Sequence, residues 1–335
     1  MGRRQDIDQL RGLAILLMVM VHAAATWAPT DASTTSALAL MVAGLGGLAA
    51  PLFVTVGGWV TVQSSWTIRK ATIRCIFLMG AQILVNLCAP HLFDTFTPGV
   101  LSLFALLYLL APLWLRLTNN ITVWIASLLV IGITNWMFLP GDSSLLWSDR
   151  IGTGDALEAV NHLLVTGTYP LFPWVFFSIL GAGLNIHSPS LRTLWSLTGL
   201  GSVLCTVFLL NSISDEIPFA QPIGKATLTF FPANAPFLIG ATTGVLVFWA
   251  LFEHRQAFRG LDQLGRLSLS LYVVHFIPLY FGSMISLSWE FAVPMVLLFT
   301  LLWWPIGVIH QSKVPTYSLE QVLQQLTRHE EEKAP

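Results

Sequence analysis

Residues 6–27 read DIDQLRGLAILLMVMVHAAATW, a stretch apolar enough to cross a membrane that nevertheless carries an arginine and a histidine. Ten uncharged, mostly apolar residues separate Arg11 from His22. In an α-helix, residues 11 apart differ by about 20° in direction and about 16 Å along the axis. Arg11 and His22 therefore share one face of a predicted first helix, and Asp8 lies on nearly the same face. Such a polar stripe favours contact with protein rather than with lipid.

Each residue of this stripe also has a purely structural interpretation. Arg11 can be an interfacial anchor that pairs with Asp8 and extends its charge to water. His22 can be a packed histidine that is bonded to a backbone or hydroxyl group. Histidines inside membrane-spanning helices are nevertheless candidates for function, and an imidazole titrates in the range that suits proton transfer.

The composition indicates whether the chain is surrounded by water or by lipid. Of its 335 residues, 55% are hydrophobic and only 10% are charged, and the mean hydropathy is +0.71. A soluble domain carries about 25% charged residues. The 13 tryptophans and 21 phenylalanines are typical of aromatic belts at membrane interfaces. The sequence therefore predicts an all-α, multi-pass integral membrane protein, with the lipid bilayer as its principal partner. No basic face suggests binding of nucleic acid.

Apolar runs long enough to cross about 30 Å of hydrocarbon predict about ten transmembrane helices. They lie at 9–27, 39–62, 73–90, 98–117, 121–139, 168–186, 191–211, 232–252, 266–285 and 290–309. With the N-terminus in the cytoplasm, 14 of the 16 lysines and arginines fall in cytoplasmic segments, and only Arg150 and Lys225 fall outside. This asymmetry predicts that both termini are cytoplasmic.

The domain organisation that follows is simple. Residues 1–312 form one predicted transmembrane domain, and residues 313–335 form a polar cytoplasmic tail. Within the tail, YSLEQVLQQLTRHEEE predicts a short, peripheral amphipathic helix with Leu319, Val322, Leu323 and Leu326 on one face. The long outer segment 140–167 holds the acids Asp142, Asp149, Asp155 and Glu158 together with His162.

A second polar constellation lies in the predicted ninth span, GRLSLSLYVVHFIPLYF. It places Arg266 at the cytoplasmic end and puts Tyr272 and His275 near the middle. Spacing alone does not decide whether His275 belongs to a site or to the core. In the second span, APLFVTVGGW puts Gly57 and Gly58 mid-membrane, where glycines favour close helix packing.

Neither a metal nor a disulfide is predicted. The sequence contains no HExxH and no CxxC motif, and it shows no acidic cluster. Cys75, Cys88 and Cys205 all lie in apolar segments and are interpreted as small packing residues. Small residues such as Gly44, Gly46 and Gly47 are compatible with a homodimer.

DIDQLRGLAILLMVMVHA resembles the first-helix signature of membrane acyltransferases related to the acyltransferase-3 family, whose hallmark is an arginine and a histidine separated by ten residues. Four further stretches contribute to the resemblance: APLFVTVGGW, YPLFPWVFFSILGAGL, FFPANAPFLIGATTGVL and LGRLSLSLYVVHF. They occur in the order expected of the heparan-alpha-glucosaminide N-acetyltransferase catalytic-domain-like family of the same superfamily. The resemblance runs from about residue 5 to residue 285, but GGW and FFPANAP depart from the patterns common in relatives.

The resemblance implies an acetyl-CoA-dependent acyltransferase of the bacterial inner membrane. Such an enzyme moves an acyl group from a cytoplasmic thioester to a hydroxyl or amine of a saccharide or glycolipid on the periplasmic side. His22 is then the predicted reacting residue, acting as general base or transient acyl carrier. His275 and Tyr272 are its predicted partners from a second helix. Arg11, Asp8 and Arg266 are predicted to receive the anionic CoA moiety.

Two other classes of function remain open on the sequence. A transporter or flippase also uses intramembrane proline, glycine and histidine along its path, although no inverted repeat is evident. An inactive membrane scaffold is the third interpretation, because of the motif departures. Consumption of acetyl-CoA by the purified protein distinguishes the enzyme from both.

Overall fold

The computed structural model describes residues 4–27, 37–138, 144–253, 255, 258 and 260–328, and this part of the chain is mostly helical. In chain order the elements are α1 Gln5–Trp27, α2 Ala37–Val62, α3 Ile68–Cys88, α4 Val100–Leu109, α5 Ala111–Trp114, a 3₁₀ turn Leu115–Thr118, α6 Ile121–Phe138, α7 Trp147–Ile151, α8 Ala156–Asn161, a π-turn His162–Thr166, α9 Leu171–His187, α10 Leu191–Ser214, β1 Ala220–Ile223, β2 Leu228–Phe231, α11 Ala235–Phe252, α12 Leu261–Arg266, α13 Ser268–Val274, α14 Phe276–Gly282, α15 Trp289–Lys313 and α16 Leu319–Arg328. Arg3, Asp142, Arg259, Lys333 and the tail beyond 328 lie outside the described residues.

Seven helices in the described residues are long and apolar enough to cross a membrane: α1, α2, α3, α6, α10, α11 and α15. Two further spans are formed only if bent pairs of helices are each taken together. One pair, α4 with α5 and its 3₁₀ turn, bends by 66°, and the other, 156–166 with α9, bends by 44°. The multi-pass membrane character that the composition predicts is therefore confirmed, whereas the number of ten spans stays a prediction.

Prolines explain where the predicted spans are interrupted. Pro112 lies in the first turn of α5, directly after the bend at Leu110, where the missing N–H of proline is tolerated. Phe172 departs from helical geometry just before Pro173. In the predicted span 266–285, the apolar helix Ser268–Gly282 is short and breaks at His275. Pro278 cannot donate to the carbonyl of Val274, which accounts for that break.

The described residues fall into two compact units. The first comprises Met1–Phe53, Ile83–Thr95 and Phe252–Pro335. In it, α1 lies against α12, α13, α14 and α15 and is largely buried. At Gly12 and Gly265 the backbones of α1 and α12 approach so closely that a Cβ on either glycine would overlap a carbonyl oxygen of the facing helix. Glycine is therefore required at both positions, and the stripe of α1 faces protein.

The second unit comprises Val54–Gln82 and Phe96–Leu251. Here Gly58 lies against the backbone of Ser178, and Gly181 lies against the backbone of Thr55. This confirms the close helix packing predicted for the glycine pair in APLFVTVGGW. The surfaces of α6 and α10 are mostly exposed and apolar, as expected of helices that face lipid.

Two features were not predicted. Segment 211–231, predicted to be an outer loop, holds the short parallel pair β1–β2, with Ala220 opposite Leu228 and Ile223 opposite Phe231. Segment 140–167, interpreted as a loop, contains α7, α8 and the π-turn. Both segments are too short and too polar for hydrophobic periodicity to reveal these elements.

Candidate active site

The first unit brings His22 of α1 into contact with His275, the residue at the break between α13 and α14. The Nδ1 of His22 lies 2.9 Å from the Nε2 of His275, within hydrogen-bond distance. The rings are nearly parallel, at 11°, with centroids 5.1 Å apart. His275 is completely buried, whereas His22 is half-buried and keeps some accessible surface. The two histidines that sequence reasoning singled out thus form one pair.

The partners of His275 fix the tautomers of both rings. Its Nδ1 lies 3.0 Å from the carbonyl oxygen of Leu271, which can only accept, so Nδ1–H donates there. A neutral imidazole carries one N–H, so the Nε2 of His275 accepts, and His22 donates its own Nδ1–H. The remaining nitrogen of His22, Nε2, then holds a lone pair, and none of the described residues donates to it. A neutral His22 therefore presents a base or nucleophile.

Aromatic side chains surround this pair. The ring of Phe276 lies 4.6 Å from that of His22 and 4.1 Å from that of His275. Tyr272 is buried, and its ring centroid is 6.1 Å from His22. Trp303 of α15 meets His275 edge-on at 6.4 Å. These rings shield the buried His275 from water and hold both imidazoles in place.

About 21 Å along α1 from His22, Asp8 lies between the two arginines predicted for the acyl donor. Asp8 Oδ1 lies 3.8 Å from Arg11 Nη1, and Oδ2 lies 3.7 Å from Arg266 Nε. Arg266 Nη2 also donates to Asp262 at 3.1 Å. Asp8 is buried, but the side chains of Arg11 and Arg266 are 23% and 36% exposed. Of the four side chains in these contacts, the two arginines are more exposed than the two carboxylates.

Sequence reasoning missed His91. This residue lies in the turn after α3, and its Nε2 is 3.1 Å from the hydroxyl of Thr26. Thr26 follows His22 by one helical turn, and its hydroxyl donates to the carbonyl oxygen of His22 at 2.9 Å. Phe93, in the same turn as His91, packs edge-on against Phe276 at 6.0 Å. No local signal marks HLFDT as part of a site, because the contact joins residues 65 positions apart.

A second missed residue is Glu320, in the predicted amphipathic helix of the tail. That helix exists as α16, and it docks on the start of α13. Glu320 Oε1 accepts from the N–H groups of Leu269 and Ser270 at 2.7 and 3.2 Å, and Oε2 accepts from the Ser270 hydroxyl at 2.6 Å. In return, Leu319 N–H donates to the Ser270 hydroxyl at 2.8 Å. The tail is thereby fastened to the helix that leads to Tyr272 and His275.

The second unit has a cleft of its own, with a volume of about 330 Å³. Aromatic, amide and carboxylate side chains line it: Trp136, Phe208, Asn211, Asp215, Thr227 and Asn234, with Ala235 and Pro236. It contains none of the residues predicted for the site. Among the described residues, no group of three or more His, Cys, Asp or Glu side chains is placed to hold a metal ion, and the three cysteines are free.

Comparison with known proteins gives one family. The model of the family described as heparan-alpha-glucosaminide N-acetyltransferase, catalytic, matches residues 3–194, more than half of the chain. The matched range includes Asp8, Arg11, His22 and His91, and it ends before Arg266 and His275. The comparison with curated proteins gives no match. On the family match, the chain belongs to the heparan-alpha-glucosaminide N-acetyltransferase catalytic family, a family of membrane acetyltransferases.

Proposed function

We propose that this protein is an inner-membrane acetyltransferase in which His22 acts on the acceptor. It takes the acetyl group of acetyl-CoA, its substrate on the cytoplasmic side, and places it on an amine or hydroxyl of a saccharide or glycolipid on the periplasmic side. The observation that carries the proposal is the His22–His275 pair, with the lone pair that it leaves on Nε2 of His22, in a member of an acetyltransferase family. The more distant relationship to the acyltransferase-3 superfamily stays a prediction.

The arginines on Asp8 support the assignment of the donor side. The exposed parts of Arg11 and Arg266 offer guanidinium N–H groups to phosphate oxygens, which are good acceptors for such donors. Asp8 lies within 4 Å of both guanidinium groups and so keeps the two side chains close together. The separation of about 16 Å between Arg11 and His22 along α1 suits a substrate whose charged end stays at the surface while its thioester lies deeper.

In the base-assisted route, His22 Nε2 takes the proton of the attacking amine or hydroxyl as the new bond to the acetyl carbon forms. The bond from that carbon to sulfur breaks, and His22 returns the proton to the departing thiolate. While His22 is protonated, its Nδ1–H still donates to His275, so the pair stabilises the added charge without moving. General base assistance of this kind contributes typically about 10²–10⁴-fold. Transient acylation of Nε2 is the alternative route through the same atom.

Purified protein in lipid nanodiscs tests the proposal. The wild type should release free CoA from acetyl-CoA in the presence of an amino sugar or a glycolipid, whereas a transporter or a scaffold should not. His22→Gln should abolish release while acetyl-CoA still binds, because glutamine keeps the hydrogen bond but lacks a basic nitrogen. His187→Gln is the matched control, since His187 is half-buried and bonded to a carbonyl in the second unit. Wild-type turnover by His22→Gln contradicts the proposal.

A homodimer, predicted from small residues of α2, is a further expectation. Gly46 is used inside the chain, where it packs against Val21 of α1. A Cβ added to Gly44 or Gly47 would meet no described atom within 4 Å, so these are the glycines that a second copy would contact. Measurement of mass in nanodiscs decides the oligomeric state.

A further inference from the structure

We propose that the cleft of the second unit is a lipid site, which binds the phosphoethanolamine headgroup of a phospholipid from the surrounding bilayer. Acetyl transfer neither consumes nor produces such a lipid, so the inference goes beyond the proposed function. It is carried by the side chains that line the cleft, by the polar groups among them that have no partner in the described residues, and by the exposed apolar helices on either side.

The cleft lies where α6 and α10 end and α11 begins. Trp136 belongs to the last turn of α6, Asn211 belongs to the last turn of α10, and Asp215 directly follows α10. The first turn of α11 forms another part of the wall. The three helix ends therefore lie at one face of the membrane, which the asymmetry of basic residues predicts to be the periplasmic one.

The helices beside the cleft expose apolar surfaces. Met137 and Phe138, which follow Trp136 on α6, are more than half exposed, and so are Leu210 and Ile213 on α10. Surfaces of this kind are expected to contact acyl chains, and tryptophan is typical of the interface between chains and headgroups. A phospholipid whose chains lie along α6 and α10 therefore has its headgroup at the level of the cleft.

Two asparagines hold the walls of the cleft in place. Asn234 Oδ1 accepts from the N–H of Phe237 at 3.0 Å, and its Nδ2 donates to the carbonyl oxygen of Thr227 at 3.0 Å. Asn135, in the last turn of α6, donates from Nδ2 to the carbonyl oxygen of Ala233 at 2.9 Å. The volume of about 330 Å³ is thus enclosed by walls that are already fixed, which reduces the entropy lost on binding.

The other polar side chains of the cleft are available to a ligand. Among the described residues, none forms a hydrogen bond or an ion pair with the side chains of Asn211, Asp215 or Thr227. Asp215 is the charged residue of the lining, and no lysine or arginine lines the cleft. Carboxylate and amide oxygens accept the N–H groups of an ammonium ion, whereas the amide N–H of Asn211 and the hydroxyl of Thr227 can donate to phosphate oxygens.

This chemistry favours one class of phospholipid headgroup. The aromatic rings of Trp136 and Phe208 attract a cation that lies over their faces, and Asp215 adds a full negative charge. A primary ammonium group offers three N–H donors to these acceptors, whereas a choline group offers none. A glycerol headgroup has no positive charge at all and leaves the lipid with a net negative charge. The expected order of affinity is therefore phosphatidylethanolamine, then phosphatidylcholine, then phosphatidylglycerol.

Native mass spectrometry of the full chain, released from detergent micelles, tests this order. The probes are the dioleoyl forms of the three lipids, which differ only in the headgroup. The wild type should bind phosphatidylethanolamine about tenfold more tightly than phosphatidylcholine. Asp215→Asn should remove this preference, because an amide has no charge with which to attract the ammonium group. Trp136→Ala should weaken the binding of both zwitterionic lipids.

Glu216→Gln is the matched control. It removes a neighbouring exposed carboxylate that does not line the cleft, so the preference for phosphatidylethanolamine should remain. Asp215 and Trp136 are also exposed, so we expect all three variants to fold, and an unchanged Tm in detergent checks this.

Four outcomes would overturn the inference. Equal binding of the three lipids by the wild type is one, and an undiminished preference in Asp215→Asn is the second. The third is an equal loss of preference in Glu216→Gln, which would assign the effect to surface charge in general. The fourth concerns the source of the ammonium group: D-glucosamine, added as competitor, should leave the lipid bound, and its displacement of the lipid would show that the cleft takes a soluble amine.

Discussion

Gly265 lies so close to Asp8 that its Cα faces the Asp8 carbonyl oxygen without room for a Cβ between them. The same contact brings Arg266, the next residue, to the carboxylate of Asp8. The glycine therefore sets both the spacing of α1 and α12 and the geometry of the arginine cluster.

Gly265→Ala should both destabilise the fold and disturb the arginine cluster on Asp8. The added methyl group would overlap backbone rather than a flexible side chain, so α1 and α12 must separate. The free energy of unfolding should fall by about 1–3 kcal/mol or more. Thermal unfolding in detergent should show a lower Tm and acetyl-CoA should bind more weakly. Gly132→Ala on α6 is the matched control, because no described atom lies within 4 Å of its Cβ position. Equal Tm values for both variants would show that the close approach is not required.

His275→Ala should lower turnover while acetyl-CoA still binds. The substitution removes the acceptor of the His22 Nδ1–H and so releases the ring and its tautomer. Loss of a hydrogen bond to a group that becomes charged should raise the activation free energy by about 1.5–3 kcal/mol. The rate then falls roughly ten- to a hundredfold. Single-turnover kinetics on matched amounts of folded protein measure the effect. If His275→Gln is inactive and His22→Gln is not, the two roles are exchanged.

Arg11→Gln and Arg266→Gln should each weaken the binding of acetyl-CoA. Loss of one charge-assisted hydrogen bond, about 1.5–3 kcal/mol, raises Kd roughly ten- to a hundredfold. Because both arginines contact Asp8, the effects in the double variant should not be additive. Arg192→Gln, at the start of α10, is the control, and calorimetric titration gives Kd. An unchanged Kd in both single variants means that the arginines are interfacial anchors.

Glu320→Ala should loosen the start of α13. Its carboxylate accepts hydrogen bonds from Leu269 N–H, Ser270 N–H and the Ser270 hydroxyl. Loss of a helix cap of this kind lowers the stability of the helix by about 0.5–2 kcal/mol. Hydrogen exchange over residues 268–272 should become faster and turnover should fall a few-fold. Gln324→Ala alters an exposed residue of the same helix and serves as the control. Unchanged exchange at 268–272 would show that the tail does not support α13.

Cysteine labelling tests the membrane topology. In a variant without Cys75, Cys88 and Cys205, a membrane-impermeant thiol reagent added to intact cells should modify a cysteine at position 155 but not one at position 66. The reason is the asymmetry of lysines and arginines between the predicted sides. Labelling of both positions from outside would contradict the ten-span topology.

The sequence allowed the membrane character and the polar stripe of α1 to be predicted, because both depend on local composition and helical spacing. It also brought His22, His275, Asp8, Arg11 and Arg266 into consideration, since ionisable residues in apolar spans are conspicuous. The pairing of Asp8 with Arg11 followed from helical spacing, whereas the pairing of His22 with His275, 253 positions away, was indicated only by the family resemblance.

The contacts of His91 and Glu320 could not be predicted from the sequence. A histidine in a short turn and a glutamate in a polar helix are ordinary residues in sequence, and only the fold places them beside Thr26 and Ser270. The breaks at Leu110, Phe172 and His275 lie near prolines, but proline alone does not identify a break, because Pro51 lies inside α2 and Pro294 and Pro305 lie inside α15.

The separation of the two histidines along the chain has a consequence for biosynthesis. His275 is made 253 positions after His22, and Glu320 is made later still. Until then the polar stripe of the first helix lacks the hydrogen bond from His22 to His275. On the proposed mechanism, the nascent chain cannot transfer an acetyl group until the segment that carries His275 has been made and has packed against α1.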